Sequence, residues 1–358
     1  MNKRPTILIM AGGTGGHIFP GLAVAEYLQQ QGWHVHWLGT ADRMEADIIP
    51  AHGIDISFIN IAGLRGKGLK SKLTMPFKVL QSVIQSLRVV NKVRPDVVLG
   101  MGGYASAPGA IAAWLKRIPL VLHEQNAVAG MSNRYLANIA NKVLSAFAGA
   151  FASNVNAEVV GNPVRGNINL LANDIEPMRK RVLVVGGSLG AKVLNDTVPQ
   201  AISQVKLLGL DVWHQTGKDN AEVVAAAYDN YKLDAEKIKV TEFIDDMASA
   251  YQWADVVICR AGALTVSELA MAGKPAILVP LPHAVDDHQT KNAQVLVNAG
   301  AGFLLAQQEL NATVLSRKLN MLFSSESTLQ KMAKAAKSVA RPDATERVAM
   351  TCRALADK

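Results

Sequence analysis

Short apolar runs, each followed by a glycine-rich turn and then by apolar residues at helical spacing, recur along this 358-residue chain. The first run extends from Ile7 to Ala11, and four glycines follow it between residues 12 and 16. A continuous apolar run is typical of a strand buried on both faces of a parallel sheet. The next helix, with apolar residues at Leu22, Ala25 and Leu28, would begin at the carboxyl edge of that sheet, where its unpaired N–H groups favour an anion.

The same pattern continues to residue 279. It predicts strands at 34–39, 54–61, 95–100, 118–123, 182–185, 212–215, 238–243, 256–259 and 276–279, and a closing helix at 345–355. Strands that alternate with helices predict an α/β fold with parallel sheets. The turn Gly161-Asn162-Pro163 ends a first series, and a second begins at Arg181. We therefore predict two Rossmann-like, doubly wound domains whose strand-end loops face each other across a cleft.

Composition narrows the class of protein. Hydrophobic residues make up 49% of the chain and charged residues 18%, which excludes a disordered chain. No apolar run reaches the roughly 20 residues of a membrane-spanning helix, and the glycines after residue 11 replace the apolar segment and cleavage site of a signal peptide. Cys259 and Cys352 offer neither a disulfide framework nor the spacing of a metal site, as expected in a reducing cytoplasm.

The positive charge is concentrated in one part of the chain. Residues 1–165 contain 16 Lys and Arg against 8 Asp and Glu, the remainder contains 21 of each, and residues 56–95 contain no acidic residue. This asymmetry indicates an anionic partner: a membrane surface, a nucleic acid or a phosphorylated substrate. A predicted helix in this region carries an apolar stripe with a basic flank, which either packs in the core or, together with Trp114, rests on anionic lipid. Its residues are Leu73, Phe77, Leu80, Ile84 and Leu87, flanked by Lys70, Lys72, Lys78 and Arg88.

Three glycine loops follow predicted strands: residues 12–16, 100–106 and 186–191. His17, beside the first loop, can move a proton near neutral pH. No loop has the Gly-x-Gly-x-x-Gly spacing of a dinucleotide site, although Asp42 would suit a nicotinamide cofactor, and the P-loop pattern is absent.

The third loop leaves other functions open. Gly186-Gly187-Ser188-Leu189-Gly190 matches the nucleophile elbow of α/β-hydrolases, and Asp255 and then His283 or His288 follow in hydrolase order. Alternatively, Ser188 donates a hydrogen bond to a phosphate, in an enzyme or in a nucleotide-binding protein without catalysis. The segment His283 to His288 contains metal-ligand residue types, but their spacing fits no familiar metal site.

A helix predicted from residue 263 follows the strand at 256–259. Its N-terminal N–H groups suit a diphosphate. Glu268, about one turn into the helix, either accepts hydrogen bonds from the hydroxyls of a ribose or is a favourable charge near a helix start.

Six motifs taken together resemble the MurG family, the bacterial peptidoglycan N-acetylglucosaminyltransferases. They are Met-Ala-Gly-Gly-Thr-Gly-Gly-His at 10–17, Gly-Met-Gly-Gly-Tyr at 100–104, His-Glu-Gln-Asn at 123–126, Gly-Asn-Pro-Val-Arg at 161–165, Gly-Gly-Ser at 186–188 and Gly-Ala-Leu-Thr-Val-Ser-Glu at 262–268. The resemblance covers nearly the full length. This sequence differs from the family pattern at two positions. Leu189 stands where the family often has glutamine, and Ala261 stands where serine is common.

The resemblance implies a GT-B fold and an activity. Members of the family transfer N-acetylglucosamine from UDP-N-acetylglucosamine to the muramyl-pentapeptide of lipid I, an undecaprenyl-diphosphate-linked acceptor, giving lipid II. The implied domains are residues 1–163 with 341–358, which would face the acceptor and the membrane, and residues 164–340, which would bind the donor. The enzyme would lie on the cytoplasmic face of the inner membrane, with neither metal, cofactor nor nucleic acid required.

The resemblance also implies roles for individual residues. His17 is the expected general base, with Glu124 as a rival, in a direct displacement that inverts the anomeric centre. Donor contacts are expected at Thr14, Gly15, Gly16, Asn126, Arg165, Ser188, Ile244, Ala263, Leu264, Thr265, Val266, Ser267, Glu268 and Gln289. The acceptor diphosphate is expected at Gly13, Gly102, Gly103 and Tyr104, and the membrane patch at Leu73, Phe77, Leu80, Ile84, Trp114, Lys70 and Lys72.

Overall fold

The structure is a computed structural model that describes residues 4–61, 69–169, 178–187, 189–207, 209–282 and 284–357, with backbone only for residues 69–75, 169 and 285. The chain divides into two compact units. The first unit combines Met1–Arg165 with Arg341–Lys358, and the second is Gly166–Ala340.

The first unit is built on a sheet of seven parallel strands in the order β3-β2-β1-β4-β5-β6-β7. Its elements are β1 (Thr6–Met10), α1 (Gly15–Gln30), β2 (His34–Gly39), α2 (Glu45–Ala51), β3 (Asp55–Phe58), α3 (Leu69–Val93), β4 (Val97–Gly100), α4 (Ser106–Leu115), β5 (Leu120–Glu124), α5 (Met131–Leu136), β6 (Lys142–Ser145), β7 (Ala157–Val159) and α14 (Ala344–Ala356). Strand β1 pairs with β2 on one side and with β4 on the other. The order of strands reverses at β1 and β4, where α/β proteins bind ligands.

Alternate residues of β1 pack on opposite faces of this sheet. Ile7 and Ile9 face a core that includes α1 and α14, whereas Leu8 and Met10 face a core that includes α3 and α4. Both faces are covered, because side chains along a strand alternate in direction while every residue of β1 is buried. The closing helix α14 is therefore part of the core of the first unit.

The second unit repeats this architecture with six parallel strands in the order β10-β9-β8-β11-β12-β13. Its elements are α6 (Gly166–Asn169), β8 (Arg181–Val185), α7 (Lys192–Ser203), β9 (Asp211–Gln215), α8 (Ala221–Asn230), β10 (Ile238–Thr241), α9 (Met247–Trp253), β11 (Val256–Cys259), α10 (Ala263–Ala272), β12 (Ala276–Leu278), α11 (His288–Asn298), β13 (Gly302–Leu304), α12 (Ala312–Leu322) and α13 (Glu326–Ser338). The order again reverses at the first strand, because β8 pairs with both β9 and β11.

The sequence pattern predicted ten of these thirteen strands and the closing helix, and the structure confirms them. It missed β6, β7 and β13, which have only three or four residues each. Strands β7 and β13 are the last strands of their sheets, and β6 pairs with β5 and β7. Among the described helices, none combines the length and the apolar character needed to cross a bilayer.

A chain of buried polar side chains crosses the core of the second unit. The Tyr228 hydroxyl donates to His214 Nδ1 (2.9 Å), and His214 Nε2 donates to Asn195 Oδ1 (3.2 Å). Asn195 Nδ2 in turn donates to the carbonyl of Thr216 (3.0 Å). Burial lowers the pKa of His214 to about 3, so the imidazole is neutral and both of its nitrogens are hydrogen-bonded.

This pKa predicts acid sensitivity of the second unit. The pKa of His214 is lower in the folded unit, about 3, than in the unfolded chain, about 6.5, so its contribution is complete above about pH 6.5 and is lost as the pH falls toward 3. We expect the free energy of unfolding to decrease by up to about 1.4 kcal/mol per pH unit in this range because of His214.

Hydrogen exchange of β8 and β9 between pH 7 and pH 5 would measure this dependence. His214→Gln should be less stable at pH 7 but show a shallower dependence on pH. Tyr228→Phe is the matched control, because it removes one hydrogen bond of the same chain and keeps the buried imidazole, so it should retain the slope. Equal slopes for His214→Gln and the unmodified protein would contradict the assignment.

Candidate functional site

The two glycine loops of the first unit meet where the order of strands reverses. A Cβ added to Gly103, whose φ is +83°, would overlap the carbonyl oxygen of Gly12, so the two backbones are in direct contact. A Cβ on Gly102 would lie 2.9 Å from the ring of His17. The Ser106 hydroxyl joins the loops, with its oxygen 2.8 Å from the carbonyl of Met10 and 2.7 Å from that of Gly102. These contacts place the second glycine loop against the His17 imidazole.

His17 is half-buried and is linked to the interior of the first unit. Its Nδ1 lies 2.9 Å from Gln125 Oε1. Gln125 Nε2 lies 3.1 Å from His123 Nδ1, and His123 Nε2 lies 2.8 Å from the carbonyl oxygen of Gly161. Two motifs of the sequence, residues 123–126 and 161–165, are therefore connected through hydrogen bonds to His17, which belongs to a third motif.

Glu124, the rival base, is buried, whereas His17 is half-buried. Its Oε1 accepts hydrogen bonds from the backbone N–H (3.0 Å) and the side-chain amide (3.1 Å) of Asn126. Its Oε2 accepts from the N–H of Gly130 (3.0 Å) and from Asn133 Nδ2 (2.9 Å). Only 2% of Glu124 is exposed. A carboxylate with both oxygens engaged by four donors organises the 124–133 segment, and this geometry favours His17 as the base.

A second buried carboxylate, Glu45, supports the first glycine loop. Glu45 Oε2 accepts from the N–H of Gly13 (3.1 Å), and Oε1 accepts from the N–H (3.0 Å) and the hydroxyl (2.7 Å) of Thr40. The single backbone donor of Gly13 is thus already bound to a negative charge. The predicted contact of Gly13 with the acceptor diphosphate would therefore not use this N–H group.

The remaining predicted residues of the first unit lie at the carboxyl edge of its sheet. Thr14 is the exposed N-cap of α1 and makes no side-chain capping bond. The N–H groups of Gly15 and Gly16 precede the first backbone bond of α1, which His17 donates to Thr14. These two amides are suited to a polar ligand, and the exposed Tyr104 lies in the second loop.

Arg165 belongs to the first unit, although the predicted boundary placed it in the donor domain. Its guanidinium carbon lies 4.6 Å from the centre of the Phe19 ring, in a cation–π contact. Because Phe19 and His17 both belong to α1, this contact holds the Arg165 side chain against the helix that carries His17.

In the second unit, α10 begins next to the end of β11, as predicted. Its N-cap, Gly262, has no side chain to occupy the first amides, and the first backbone bond is donated by Val266 to Gly262 (2.9 Å). The N–H groups of Leu264 and Thr265 therefore precede the hydrogen-bonded part of the helix and suit an anion. The Ser267 hydroxyl donates to the carbonyl of Ala263 (3.0 Å), so it stabilises the first turn.

Glu268 is more enclosed than the sequence suggested. Only 3% of the residue is exposed, and Glu268 Oε2 accepts from the hydroxyl of Tyr251 (3.0 Å). Burial, with the Glu268 charge as a second cause, raises the pKa of the neighbouring Cys259 thiol to about 12. The carboxylate therefore lies almost entirely inside the second unit.

The third glycine loop is held by Gln215. Gln215 Oε1 accepts from the N–H of Gly187 (3.0 Å), while Gln215 Nε2 donates to the carbonyls of Gly187 (3.1 Å) and Glu242 (2.8 Å). Ile244, the predicted contact for the uracil, is buried two residues beyond Glu242. Gln289 Oε1 accepts from the N–H of Leu281 (2.9 Å), and Ser188 and His283 lie outside the described residues.

The hydrolase alternative fails on geometry. Asp255 precedes β11 and accepts from the N–H groups of Arg179 (3.0 Å) and Arg181 (2.9 Å) at the start of β8. Ser188 follows the other end of β8 in sequence, and the two strands run parallel. A strand of this length separates the two edges by about 13 Å, so Asp255 lies at the opposite edge of the sheet from the end of β8 that leads into the third glycine loop.

Helix α3 presents an apolar surface. Phe77, Leu80 and Ile84 are exposed, with 76% of Phe77 accessible, and Trp114 of α4 is exposed as well. Another face of α3 is buried through Val83 and Val90. The predicted stripe is therefore not a core face between residues 77 and 84, while the side chains of Lys70, Lys72 and Leu73 lie outside the described residues.

Sequence reasoning missed several residues that position these loops. Gln125, His123, Glu45, Gln215 and Tyr251 make the contacts above, and only the first two belonged to a recognised motif. For His123, Gln125 and Gln215 the available signal is a polar residue at the carboxyl end of a buried strand, whereas Glu45 and Tyr251 lie in helices and gave no such signal. In the part of the chain that the structure describes, no group of three or more His, Cys, Asp or Glu side chains is arranged to hold a metal ion.

Comparisons with known proteins match both units. The Glycosyltransferase family 28 N-terminal domain matches residues 7–145, and the Glycosyltransferase family 28 C-terminal domain matches residues 181–348. Curated relatives named UDP-N-acetylglucosamine–N-acetylmuramyl-(pentapeptide) pyrophosphoryl-undecaprenol N-acetylglucosamine transferase are similar over nearly their full length. The relative from Colwellia psychrerythraea is 59% identical over 98% of this chain and 92% of its own, and that from Shewanella frigidimarina is 56% identical over 100% and 99%.

A solved structure supports the same assignment. The crystal structure of Acinetobacter baumannii MurG is 41% identical, covers 98% of this chain and 99% of its own, and superposes with a TM-score of 0.83. Both units of this chain have the parallel α/β architecture of GT-B enzymes. The chain therefore belongs to glycosyltransferase family 28 and, within it, to the MurG family of N-acetylglucosamine transferases.

Proposed function

We propose that this chain transfers N-acetylglucosamine from UDP-N-acetylglucosamine to the 4-hydroxyl of the muramyl-pentapeptide of lipid I, giving lipid II for peptidoglycan synthesis. The reaction is a direct displacement that inverts the anomeric centre. The observation that carries the proposal is His17, half-buried beside two glycine loops, in a chain of this family.

His17 acts as the general base. As the acceptor oxygen bonds to the anomeric carbon, its proton passes to the imidazole, and the bond from that carbon to the diphosphate oxygen breaks. The electron pair of that bond leaves with UDP. A base of this kind contributes about 10²- to 10⁴-fold to the rate.

The second unit holds the uridine diphosphate. The first-turn amides of Leu264 and Thr265 in α10, with Ala263 beside them, bind the diphosphate through the positive end of the helix. Glu268 binds the ribose and Ile244 the uracil, while Gln289 is a further donor contact of this unit. The wider donor set comprises Val266 and Ser267 of α10 and Ser188 of the third loop.

The first unit contributes the remaining contacts and is the acceptor unit, as proposed for residues 1–163 with 341–358. Thr14, Gly15, Gly16 and Asn126 approach the donor sugar, and Arg165, held over Phe19, supplies a positive charge near the leaving diphosphate. Gly102, Gly103 and Tyr104 of the second loop meet the acceptor diphosphate.

The first unit rests on the cytoplasmic face of the inner membrane, where the lipid acceptor lies. The apolar side chains of Phe77, Leu80 and Ile84 are exposed together on one helix rather than packed in the core. Such a face on a basic unit fits insertion between anionic lipid headgroups.

His17→Gln tests the proposed base. We expect kcat to fall by about 10²- to 10⁴-fold, because the amide cannot accept the proton, while the Kd for UDP-N-acetylglucosamine stays unchanged. Turnover of labelled UDP-N-acetylglucosamine with a lipid I analogue measures kcat. His52→Gln, at a surface histidine of the same unit, should retain full turnover, and an unchanged kcat in His17→Gln would exclude His17 as the base.

Glu268→Gln tests donor recognition. Loss of hydrogen bonds between a charged carboxylate and the ribose should raise the Kd for UDP by about 10- to 100-fold, as measured by calorimetry. Glu222→Gln, at an exposed position in the first turn of α8, is the matched control and should leave the Kd unchanged. Equal affinities for the two variants would remove Glu268 from the donor site.

Replacing Phe77 and Leu80 together with Ser tests the membrane surface. Loss of two apolar side chains should weaken binding to vesicles that contain anionic phospholipid by at least about tenfold. Val223→Ser removes an apolar side chain of similar exposure from the second unit and should leave vesicle binding intact. If sedimentation with vesicles is the same for both variants, this surface does not contact the membrane.

A further inference from the structure

The hydrogen bonds that connect His17 to the interior have a direction, and it can be assigned from their buried end. The carbonyl oxygen of Gly161, 2.8 Å from His123 Nε2, can only accept, so Nε2 carries a hydrogen. His123 is fully enclosed, and burial lowers the pKa of its imidazole to about 4. At neutral pH the ring therefore holds one proton, and His123 Nδ1 is an acceptor.

This acceptor determines the orientation of the Gln125 amide. The group 3.1 Å from His123 Nδ1 must be a donor, and the amide NH₂ occupies that position. The amide oxygen is then the atom 2.9 Å from His17 Nδ1. The reversed amide would set its oxygen against the lone pair of His123, leaving two buried acceptors without a hydrogen between them, at a cost of about 1–3 kcal/mol each.

We propose that Gln125 and His123 are positioning residues that hold His17 in the tautomer with its hydrogen on Nδ1, so that Nε2 presents the lone pair to the acceptor hydroxyl. This inference rests on the proposed function of His17. During transfer the hydroxyl proton passes to Nε2 while the Nδ1 hydrogen stays in its bond to Gln125 Oε1. The amide oxygen accepts from the neutral and from the protonated imidazole alike, so the ring keeps its position through the step.

Neighbouring residues hold this series of hydrogen bonds in place. Asn162 Nδ2 donates to the backbone carbonyl of Gln125 (3.1 Å), and both Gln125 and His123 are buried. Gly161, whose φ is +90°, has no room for a Cβ because Arg341 packs against it. The closing segment of the chain thus fixes the turn from which the hydrogen-bond direction originates.

The tautomer is directly measurable in the unmodified enzyme. Nitrogen-15 NMR of histidine-labelled protein at pH 8 distinguishes protonated from unprotonated ring nitrogens, and the His17 signals are those absent from His17→Gln. We expect a protonated Nδ1 and an unprotonated Nε2 at His17. The opposite tautomer, or an equal mixture of the two, would overturn the inference without any measurement of activity.

Two substitutions at Gln125 test the link to catalysis. Gln125→Met has a similar length and no acceptor, so His17 should lose its preference for the Nδ1 tautomer, and kcat should fall by about 10- to 100-fold at an unchanged KM for UDP-N-acetylglucosamine. Gln125→Glu should restore the tautomer and most of kcat. In this variant one carboxyl oxygen faces His123 Nδ1, and a proton lies between these two atoms. Whichever of the two carries that proton, the other carboxyl oxygen still accepts from His17. Gln30→Met, an exposed residue of α1, is the control.

The outcomes separate this inference from the proposed function. If His17→Gln retains turnover, His17 is not the base and the proposed function fails, whatever the tautomer. If His17→Gln abolishes turnover but Gln125→Met keeps the wild-type tautomer and kcat, the base stands and the positioning role is wrong. Should Gln125→Met unfold, the tautomer of the unmodified enzyme and the rescue by Gln125→Glu still decide the question.

Discussion

Direct contact between backbones of neighbouring loops is the constraint on which both units depend. In the first unit Gly103 lies against the carbonyl of Gly12, and in the second unit Gly190 lies against the carbonyl of Thr216. Any side chain at Gly103 or Gly190 would separate the loops and move every group that they position. The glycines of the sequence therefore bring functional loops together at the carboxyl edge of each sheet, rather than acting only as phosphate sites.

Each unit also contains a fully buried, neutral histidine near such a loop, but the two hydrogen-bond chains end differently. The chain through His214 ends at the carbonyl of Thr216 and stabilises the loop. The chain through His123 ends at His17, which is partly exposed. A buried neutral histidine thus stabilises a loop in the second unit, whereas in the first unit it orients the amide that contacts His17. The duplicated architecture does not imply duplicated chemistry.

Local pattern was sufficient to predict the strands with long apolar runs, the glycine loops and the closing helix, because these depend on residues adjacent in sequence. The strands β6, β7 and β13 were missed because each contains only two apolar residues, too few to stand out as a run. The site was predicted less completely. His17 and Gln125 are 108 residues apart, and no local pattern shows that Glu124 is engaged by Asn133, or that Asp255 lies at the wrong edge for a triad.

The supports of the first and third glycine loops differ in charge, and this difference bears on where a diphosphate binds. The N–H of Gly13 donates to the carboxylate of Glu45, whereas the N–H of Gly187 donates to the neutral amide of Gln215. A buried negative charge about 3 Å from a loop amide repels an anion strongly in a medium of low dielectric constant. The amide of Gly187 faces a neutral group instead. The two glycine loops therefore have different electrostatic environments, although they look alike in sequence.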